Sequence, residues 1–288
     1  DTYYFDQSTV LRTHTTAHQV PLLLQGHSQF LVTGDVYRRD DIDSTHYPVF
    51  HQMDGVKLFN MKETGMTRDD IVRELKNDLE TMIRHVFAGR VTQMKWIDEY
   101  FPFTEPSFEL EIEFNGQWME VLGCGLIREF ILTNAGKDIA EYQGYAFGLG
   151  LERLAMIMFN IPDIRLFWST DQRFLSQFAN INVNDPGDLI SFKPYSKYPA
   201  CYKDVSCWLP SDSFADNDLY ELVRNVAGDL VESVKVESSF VHPKTNRLSK
   251  CYRINYRSMD RNLTNEEIDQ IQWKLRDAMV EKLGIELR

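Results

Sequence analysis

No stretch of this 288-residue sequence stays apolar for the roughly 18 consecutive residues that a membrane-spanning helix needs, so no such helix is expected. The first residue is Asp1, and no basic, apolar leader follows it. The chain therefore reads as a processed protein or a fragment whose targeting segment is out of sight. Cysteine is scarce. Cys124, Cys201, Cys207 and Cys251 form no CxxC pair and no Cys/His spacing of the kind that holds zinc, so free thiols in a reducing compartment are expected. The familiar phosphate loops are missing as well, because the glycines at 144, 148 and 150 match neither GxGxxG nor GxxxxGK(S/T). Positive charge is in deficit, with a formal net charge of −12, which argues at first against a nucleic-acid partner. Its distribution weakens that objection: residues 1–189 hold 16 Lys and Arg against 28 Asp and Glu, while residues 190–288 hold 15 of each. There is no internal repeat and no low-complexity tract.

The length favours two domains. Ile71, Leu75, Leu79, Met82, Ile83 and Val86 recur at helical spacing, with Thr67 as N-cap and Gly89 as the stop. The stretch "FELEIEFNGQWMEVLG" alternates about Asn115-Gly116, a strong hairpin signal. "GYAFGLGLERLAMIMF" runs from a glycine-rich strand into an apolar helix, and "NINVNDPGDLIS" is a polar, turn-rich linker. Beyond it the elements read β-α-β-β-α-β, with Thr264 and Glu267 as a capping box and Gly284 closing the last helix, an order that implies a ferredoxin-like split βαβ domain.

The segment "GDVYRRDDIDSTHYPVFHQMDG", residues 34–55, sets two strand-like ends around a polar turn. On strand geometry Arg38 points with Asp40, and Phe50 with Gln52 and Asp54. An aromatic plate, an amide, carboxylates and a guanidinium on one face suit a planar, charged ligand. A salt-bridged hairpin facing water is the competing reading.

In the Asn115-Gly116 hairpin, pairing Phe114 with Gln117 puts Phe108, Leu110, Ile112 and Phe114 on one face with Met119 and Val121. Glu111 then lies opposite Glu120 on the other face, where like charges repel. A magnesium ion carrying substrate phosphates would relieve that repulsion, and plain solvation is the alternative. Arg153, beside the apolar run "LAMIMF", needs either a carboxylate such as Asp163 or a phosphate. Phe101 and Phe103 share a face by alternation, and His14 and Thr16 share one side of an extended segment.

In this order the motifs resemble the class II aminoacyl-tRNA synthetases, and more closely their phenylalanine-specific family in its single-chain organellar form. "VYRRD", "HYPVFHQ" and "FGLGLER" are similar to the second and third class motifs. "YFPFTEPSFE", "WMEVLGCG" and "AFGLGLERLAM" are similar to signatures of the phenylalanine family. The resemblance implies an α+β fold: a class II antiparallel sheet flanked by helices over residues 1–180, without motif 1, then a linker over 181–192 and a ferredoxin-fold anticodon-binding domain over 193–288. It also implies roles. Arg38 would grip the α-phosphate of ATP, Phe50 stack under adenine, Asp40 sit near the adenine amino group, and His46 and Arg153 meet the outer phosphates, with Gly150 beside them. His14, Thr16, Gln52 and Asp54 would surround the ammonium and carboxylate of L-phenylalanine. Phe101 and Phe103 would wall its ring, and Ala146 would leave it room. Glu111 and Glu120 would face Mg²⁺. From the residues themselves, alternation along "KCYRINYRS" sets Tyr252, Ile254 and Tyr256 toward the core and Arg253, Asn255 and Arg257 the other way, where the arginines either face RNA or are simply solvated.

The implied activity is ATP-dependent formation of phenylalanyl-adenylate and transfer to tRNA(Phe) in an organelle such as the mitochondrial matrix, by a monomer with no membrane partner. The family most often carries Ser at the place of Thr16 and Glu at that of Asp54, so the reach of both groups differs here. The competing classes are a non-catalytic RNA-binding relative and an adenylate-forming ligase that uses no tRNA.

Overall fold

A computed structural model describes residues 2–114, 116–182, 190–194, 198–211 and 213–288. Two antiparallel sheets organise it. The first part of the chain runs α1 (Gln19–Leu24), β1 (Gln29–Tyr37), β2 (Val49–Asn60), α2 (Met61–Thr64), α3 (Arg68–Val86), β3 (Gln93–Glu99), β4 (Thr104–Phe114) and β5 (Gln117–Ile127). It continues through α4 (Glu129–Asn134), β6 (Tyr142–Gly150), α5 (Leu151–Phe159) and α6 (Gln172–Phe178). The second part is β7 (Cys201–Trp208), α7 (Asp216–Ala227), β8 (Val231–Val241), β9 (Leu248–Tyr256), α8 (Asn265–Leu283) and β10 (Glu286–Leu287).

The six-stranded sheet has the order β1-β2-β6-β5-β4-β3. Helix α3 starts where Thr67 and Asp70 cap one another reciprocally, and it ends at Val86, just before Ala88 and Gly89 take positive φ. Its apolar stripe of Ile71, Leu75, Leu79 and Ile83 is buried against Phe108, Leu110, Ile112 and Phe114 of β4, each such side chain contributing about 1.5–3 kcal/mol by removal from water. The other face is only partly covered. There Leu23 of α1 and Ile131 and Leu132 of α4 pack on Val56, Leu58 and Ala146. The uncovered remainder of that face is where the polar residues of β2 emerge.

The predicted register of the β4–β5 hairpin holds through Phe114↔Gln117 and Glu111↔Glu120, and then a bulge shifts it to Leu110↔Leu122. Val121 and Leu122 are consequently both buried. Asn115, half of the expected turn, lies outside the described residues. So does most of the expected linker, although Phe192 near its end is buried among Ile161, Leu166 and Phe174 and donates its N–H to the Phe159 carbonyl at 2.6 Å.

The second sheet has the order β10-β7-β9-β8, with β-α-β-β-α-β connectivity as the sequence predicts. Tyr252, Ile254 and Tyr256 are fully buried under α7 and α8. The capping box of α8 is half-formed: Thr264 accepts from the Glu267 N–H, but the Glu267 carboxylate bonds Arg261 instead of reaching back.

The two sheets are tied by the β1–β2 connection. β1 stops at Tyr37, so Arg38–Asp40 are not strand as the sequence pattern implied. The chain leaves the sheet there because Ile42 inserts into the apolar core of the second sheet, beside Val231 and Val234, and its carbonyl accepts from Val234 N at 3.0 Å. Arg224 donates to the carbonyls of Asp40 and Asp41, and Arg39 pairs with Asp218 at 2.7 Å. A second tie is Arg165, only 8% exposed, which pairs with Asp163 and donates to the carbonyls of Asp229 and Val231. Asp163 is therefore spent on Arg165 and is not the partner of Arg153. Among the described residues no helix is long and apolar enough to cross a membrane, and all four cysteines are free.

Candidate active site

Strand pairing builds the site. Phe50, Gln52 and Asp54 lie on the face of β2 that Val56 and Leu58 continue into the core beneath α1 and α4. Across the ladder Gln52 meets Gly150, Asp54 meets Gly148 and Val56 meets Ala146, and on the next strand Gly123 faces Gly148 while Gly125 faces Ala146. On this face Gln52, Asp54, Val56 and Leu58 thus look across a row of residues with little or no side chain. A trough results. Two of these glycines are required by close approach: a Cβ at Gly148 would lie 2.9 Å from Asp54 Oδ1, and one at Gly123 would lie 2.8 Å from the Phe101 ring.

The trough is a cavity of about 360 Å³ lined by His14, Thr16, Arg38, Asp40, His46, Phe50, Gln52, Asp54, Phe101, Phe103, Glu120, Ala146, Gly150 and Arg153. One cavity therefore gathers the sequence-predicted residues other than Glu111, Arg253 and Arg257. It has two ends. At one, Phe101 and Phe103 are parallel, centroids 6.1 Å apart, with the His14 ring 5.0 Å from Phe103. At the other, the Arg38 guanidinium lies over the Phe50 ring, its Nε donating to the Thr13 carbonyl at 2.9 Å. Burial pushes the Arg38 guanidinium below its ordinary value, with Asp40 and Asp54 pulling the other way and Arg153 adding to the depression.

Between the ends sits Asp54, only 1% exposed, which accepts from Thr15 Oγ1 at 2.8 Å and Thr16 Oγ1 at 2.6 Å. His14 is itself extended, but the segment does not stay so through Thr16. His14 caps a short 3-10 turn over Thr15–His18, and that turn is what brings two threonine hydroxyls onto one carboxylate. The Oε1 atoms of Gln52 and Gln19 are buried without a donor among the described residues, and both side chains line the cavity. Two orphan carbonyl oxygens beside a buried carboxylate make a pocket that an ammonium group would satisfy.

Gln19 and Thr15 were not apparent from the sequence. Gln19 opens α1 five residues after His14, and its 3.5 Å approach to Asp54 through Nε2 and its unpaired, buried Oε1 mark it only in the folded chain.

His46 reaches the cavity from the β1–β2 connection with Nδ1 at 2.8 Å from Asp43. The hydrogen bond to Asp43 raises its pKa above the ordinary value against the effect of burial. Arg153 pairs with Glu120 at 3.0 Å. Glu111 does not line the cavity: Lys95 takes its carboxylate at 2.6 Å, relieving the repulsion that had suggested a metal. Glu109, in the same acidic face, has its pKa raised by burial and then by Glu120, Glu99 and Glu111. Among the described residues no three His, Cys, Asp or Glu side chains converge to hold a metal ion. Of the two acids expected to face a metal, Glu120 alone lines the cavity, and there Arg153 engages it.

On the second sheet Arg253 is engaged by both Asp204 and Glu237 at 2.9 Å, and Arg257 by Glu232 at 3.1 Å. Their charges are compensated within the protein. A different cluster stands out on that face, where Trp208, Ser249 and Phe240 form one cross-strand row. The Trp208 ring lies 6.3 Å from Phe240 and 5.8 Å from His242, and the guanidinium groups of Arg247 and Arg288 each lie 5.4 Å from Trp208. The half-buried Trp208 and the exposed Phe240 flank the small, buried Ser249, with Arg288 and Arg247, the latter engaged by Glu286 at 2.8 Å, alongside, and such an aromatic surface can stack flat bases.

Comparison with known proteins gives a family. Residues 1–178 match the model of the tRNA synthetases class II core domain (F), and residues 196–288 match the ferredoxin-fold anticodon binding domain. The chain is 55% identical to the chloroplastic/mitochondrial phenylalanine–tRNA ligase of Arabidopsis thaliana over 293 residues, covering all of this chain and 66% of that protein. It is 48% identical to the mitochondrial phenylalanine–tRNA ligase of Dictyostelium discoideum and 46% identical to that of Mus musculus, covering all of this chain and 72% and 68% of those proteins. The chain thus spans about two-thirds of the length of these relatives.

Proposed function

This chain belongs to the organellar phenylalanine–tRNA ligases of the class II synthetases, and from that membership we propose that its cavity joins L-phenylalanine to ATP and passes the product to tRNA(Phe). The observation that carries the reading is the convergence of Arg38, Phe50 and Arg153 with the buried Asp54 and the parallel Phe101 and Phe103 in one trough. The relatives' names place the family in mitochondria and chloroplasts.

At the nucleotide end, adenine stacks on Phe50 with Asp40 near its amino group, Arg38 holds the α-phosphate, and His46 and Arg153 meet the outer phosphates. At the amino-acid end, Asp54 and the free carbonyl oxygens of Gln52 and Gln19 take the ammonium, with His14 and Thr16 beside them. Phe101 and Phe103 wall the phenyl ring, and the small Ala146 leaves it room. This arrangement aims the amino-acid carboxylate at the α-phosphorus, and attack in line expels pyrophosphate. No covalent enzyme intermediate is needed, so positioning and electrostatics supply the rate. Glu120 would be the protein carboxylate nearest a magnesium ion carried in with ATP, which would supply neutralisation of the phosphate charge. A ribose hydroxyl at the tRNA 3′ end then attacks the acyl carbon of the adenylate, loses its proton, and AMP leaves as the ester forms.

The division of labour follows the two sheets: residues 1–180 catalyse, 181–192 link, and 193–288 hold the anticodon arm, with the Trp208–Phe240 corner a better stacking surface than the compensated Arg253 and Arg257. The resemblance to the organellar form of the family implies a monomer as the working form. Attachment of labelled phenylalanine to organellar tRNA(Phe) tests the whole reading. Charging is expected with phenylalanine; exchange of pyrophosphate without charging would point to an adenylate-forming ligase, and absence of both to a non-catalytic RNA-binding relative.

A further inference from the structure

The ladder between β2 and β6 ends at Gln52↔Gly150, where β6 turns into α5. Beyond that rung His51 and Phe50 keep a strand partner only on β1, the edge of the sheet. A frayed strand end would be expected here. It does not occur, because the Glu152 side chain stands in for the missing strand: the His51 backbone N–H donates to both carboxylate oxygens, at 3.0 and 2.9 Å, and His51 Nδ1 lies 2.5 Å from Oε1. Glu152 is 6% exposed and sits in the first turn of α5, where the helix N-terminus favours a carboxylate. The far side of the His51 ring is held by Asp35 at 3.2 Å and by the stacked Trp168 ring.

We propose that Glu152 is a positioning residue for ATP, a reading that rests on the nucleotide assignment above. Phe50 directly precedes His51, and Arg153 directly follows Glu152. A single carboxylate–amide clasp therefore fixes the distance between the aromatic plate under the base and the cation at the phosphates. Neither His51 nor Glu152 has to touch the nucleotide for this. Loosening the clasp frees both ends of the nucleotide site at once, because one partner of the clasp is covalently next to each.

The test uses Glu152→Gln, which keeps the volume and one acceptor oxygen, alongside Glu152→Ala and Arg153→Ala. Pyrophosphate exchange gives the KM values for ATP and phenylalanine, and inhibition of tRNA charging by adenosine and by pyrophosphate reports the two ends of the site separately. Glu152→Gln is expected to raise the ATP KM about tenfold, the scale of one lost charge-assisted hydrogen bond, with the phenylalanine KM changed less than about twofold. Adenosine and pyrophosphate should both inhibit it less well, whereas Arg153→Ala should weaken pyrophosphate alone. Glu152→Ala should show the same pattern more strongly than Glu152→Gln.

An active wild type with unchanged ATP KM in Glu152→Gln overturns the inference, as does an equal rise for ATP and phenylalanine, which would mark general loosening. A wild type without phenylalanine-dependent exchange overturns the nucleotide reading itself and this inference with it.

Discussion

The Arg38 guanidinium lies 5.0 Å from the centroid of the Phe50 ring, so a cation and an aromatic plate meet across the β1–β2 hairpin. Both side chains belong to the nucleotide end of the trough. Replacing Phe50 by Ala removes the plate, and base–aromatic stacking of roughly 1–3 kcal/mol predicts an ATP KM at least about fivefold higher in pyrophosphate exchange. Phe50→Tyr keeps the plate and should stay near wild type. Equal KM values for the alanine and tyrosine variants would contradict the stacking role.

Asp54 governs the other substrate. Asp54→Asn keeps the shape but removes the charge of a buried carboxylate that accepts two hydroxyl bonds and that, in the proposed function, takes the substrate ammonium. Loss of a hydrogen bond to a charged group, about 1.5–3 kcal/mol, predicts a phenylalanine KM roughly 10- to 150-fold higher, with the ATP KM little changed. Exchange assays that vary each substrate in turn separate the two.

His46 and Asp43 give the site a dependence on pH. The hydrogen bond to Asp43 raises His46 above its ordinary 6.5, while the bonds from His46 and Thr45 hold Asp43 below its ordinary 3.8, although burial pushes Asp43 the other way. The stabilisation from His46 is complete below 6.5 and is lost as pH rises through its raised value. That from Asp43 is complete above 3.8 and is lost as pH falls through its lowered value. A full contribution between these limits predicts that the ATP KM climbs on the alkaline side as His46 loses its proton. His46→Gln should flatten the difference in slope, and parallel profiles for the two proteins would remove His46 from the phosphate site.

The Trp208–Phe240 corner should bear on the second half-reaction only. Trp208→Ala and Phe240→Ala are expected to raise the tRNA KM about tenfold, the scale of one lost stacking contact, while exchange without tRNA proceeds at nearly the wild-type rate. Arg253→Ala should do less, because Asp204 and Glu237 already compensate that charge. A larger effect from Arg253 than from either aromatic would reverse this assignment of the surface.

Much of this architecture is legible in the sequence because its signals are local. The Thr67 cap, the alternation of Phe108–Phe114 and the register that sets Glu111 against Glu120 are each written within a few residues of where they act. What the sequence conceals depends on pairing between distant segments. Lys95 lies on a neighbouring strand, so its neutralisation of Glu111 could not be foreseen from the hairpin alone. The glycines at 123 and 148 show their purpose only once β5, β6 and β2 are side by side. Ile42 looks like one apolar residue in a charged loop, and its burial in the core of the second sheet is a tertiary fact. Gln19 and Glu152 escape notice for the same reason, their partners being 35 and 101 residues away.

The most direct measurement is ATP–pyrophosphate exchange across all twenty amino acids, with Arg38→Ala alongside. Strong exchange with phenylalanine is predicted, together with weak exchange with tyrosine, whose added hydroxyl an apolar wall refuses poorly, and near-total loss in the variant. Equal rates with leucine, or an Arg38→Ala protein as active as the wild type, would contradict a trough that binds an aromatic amino acid beside ATP.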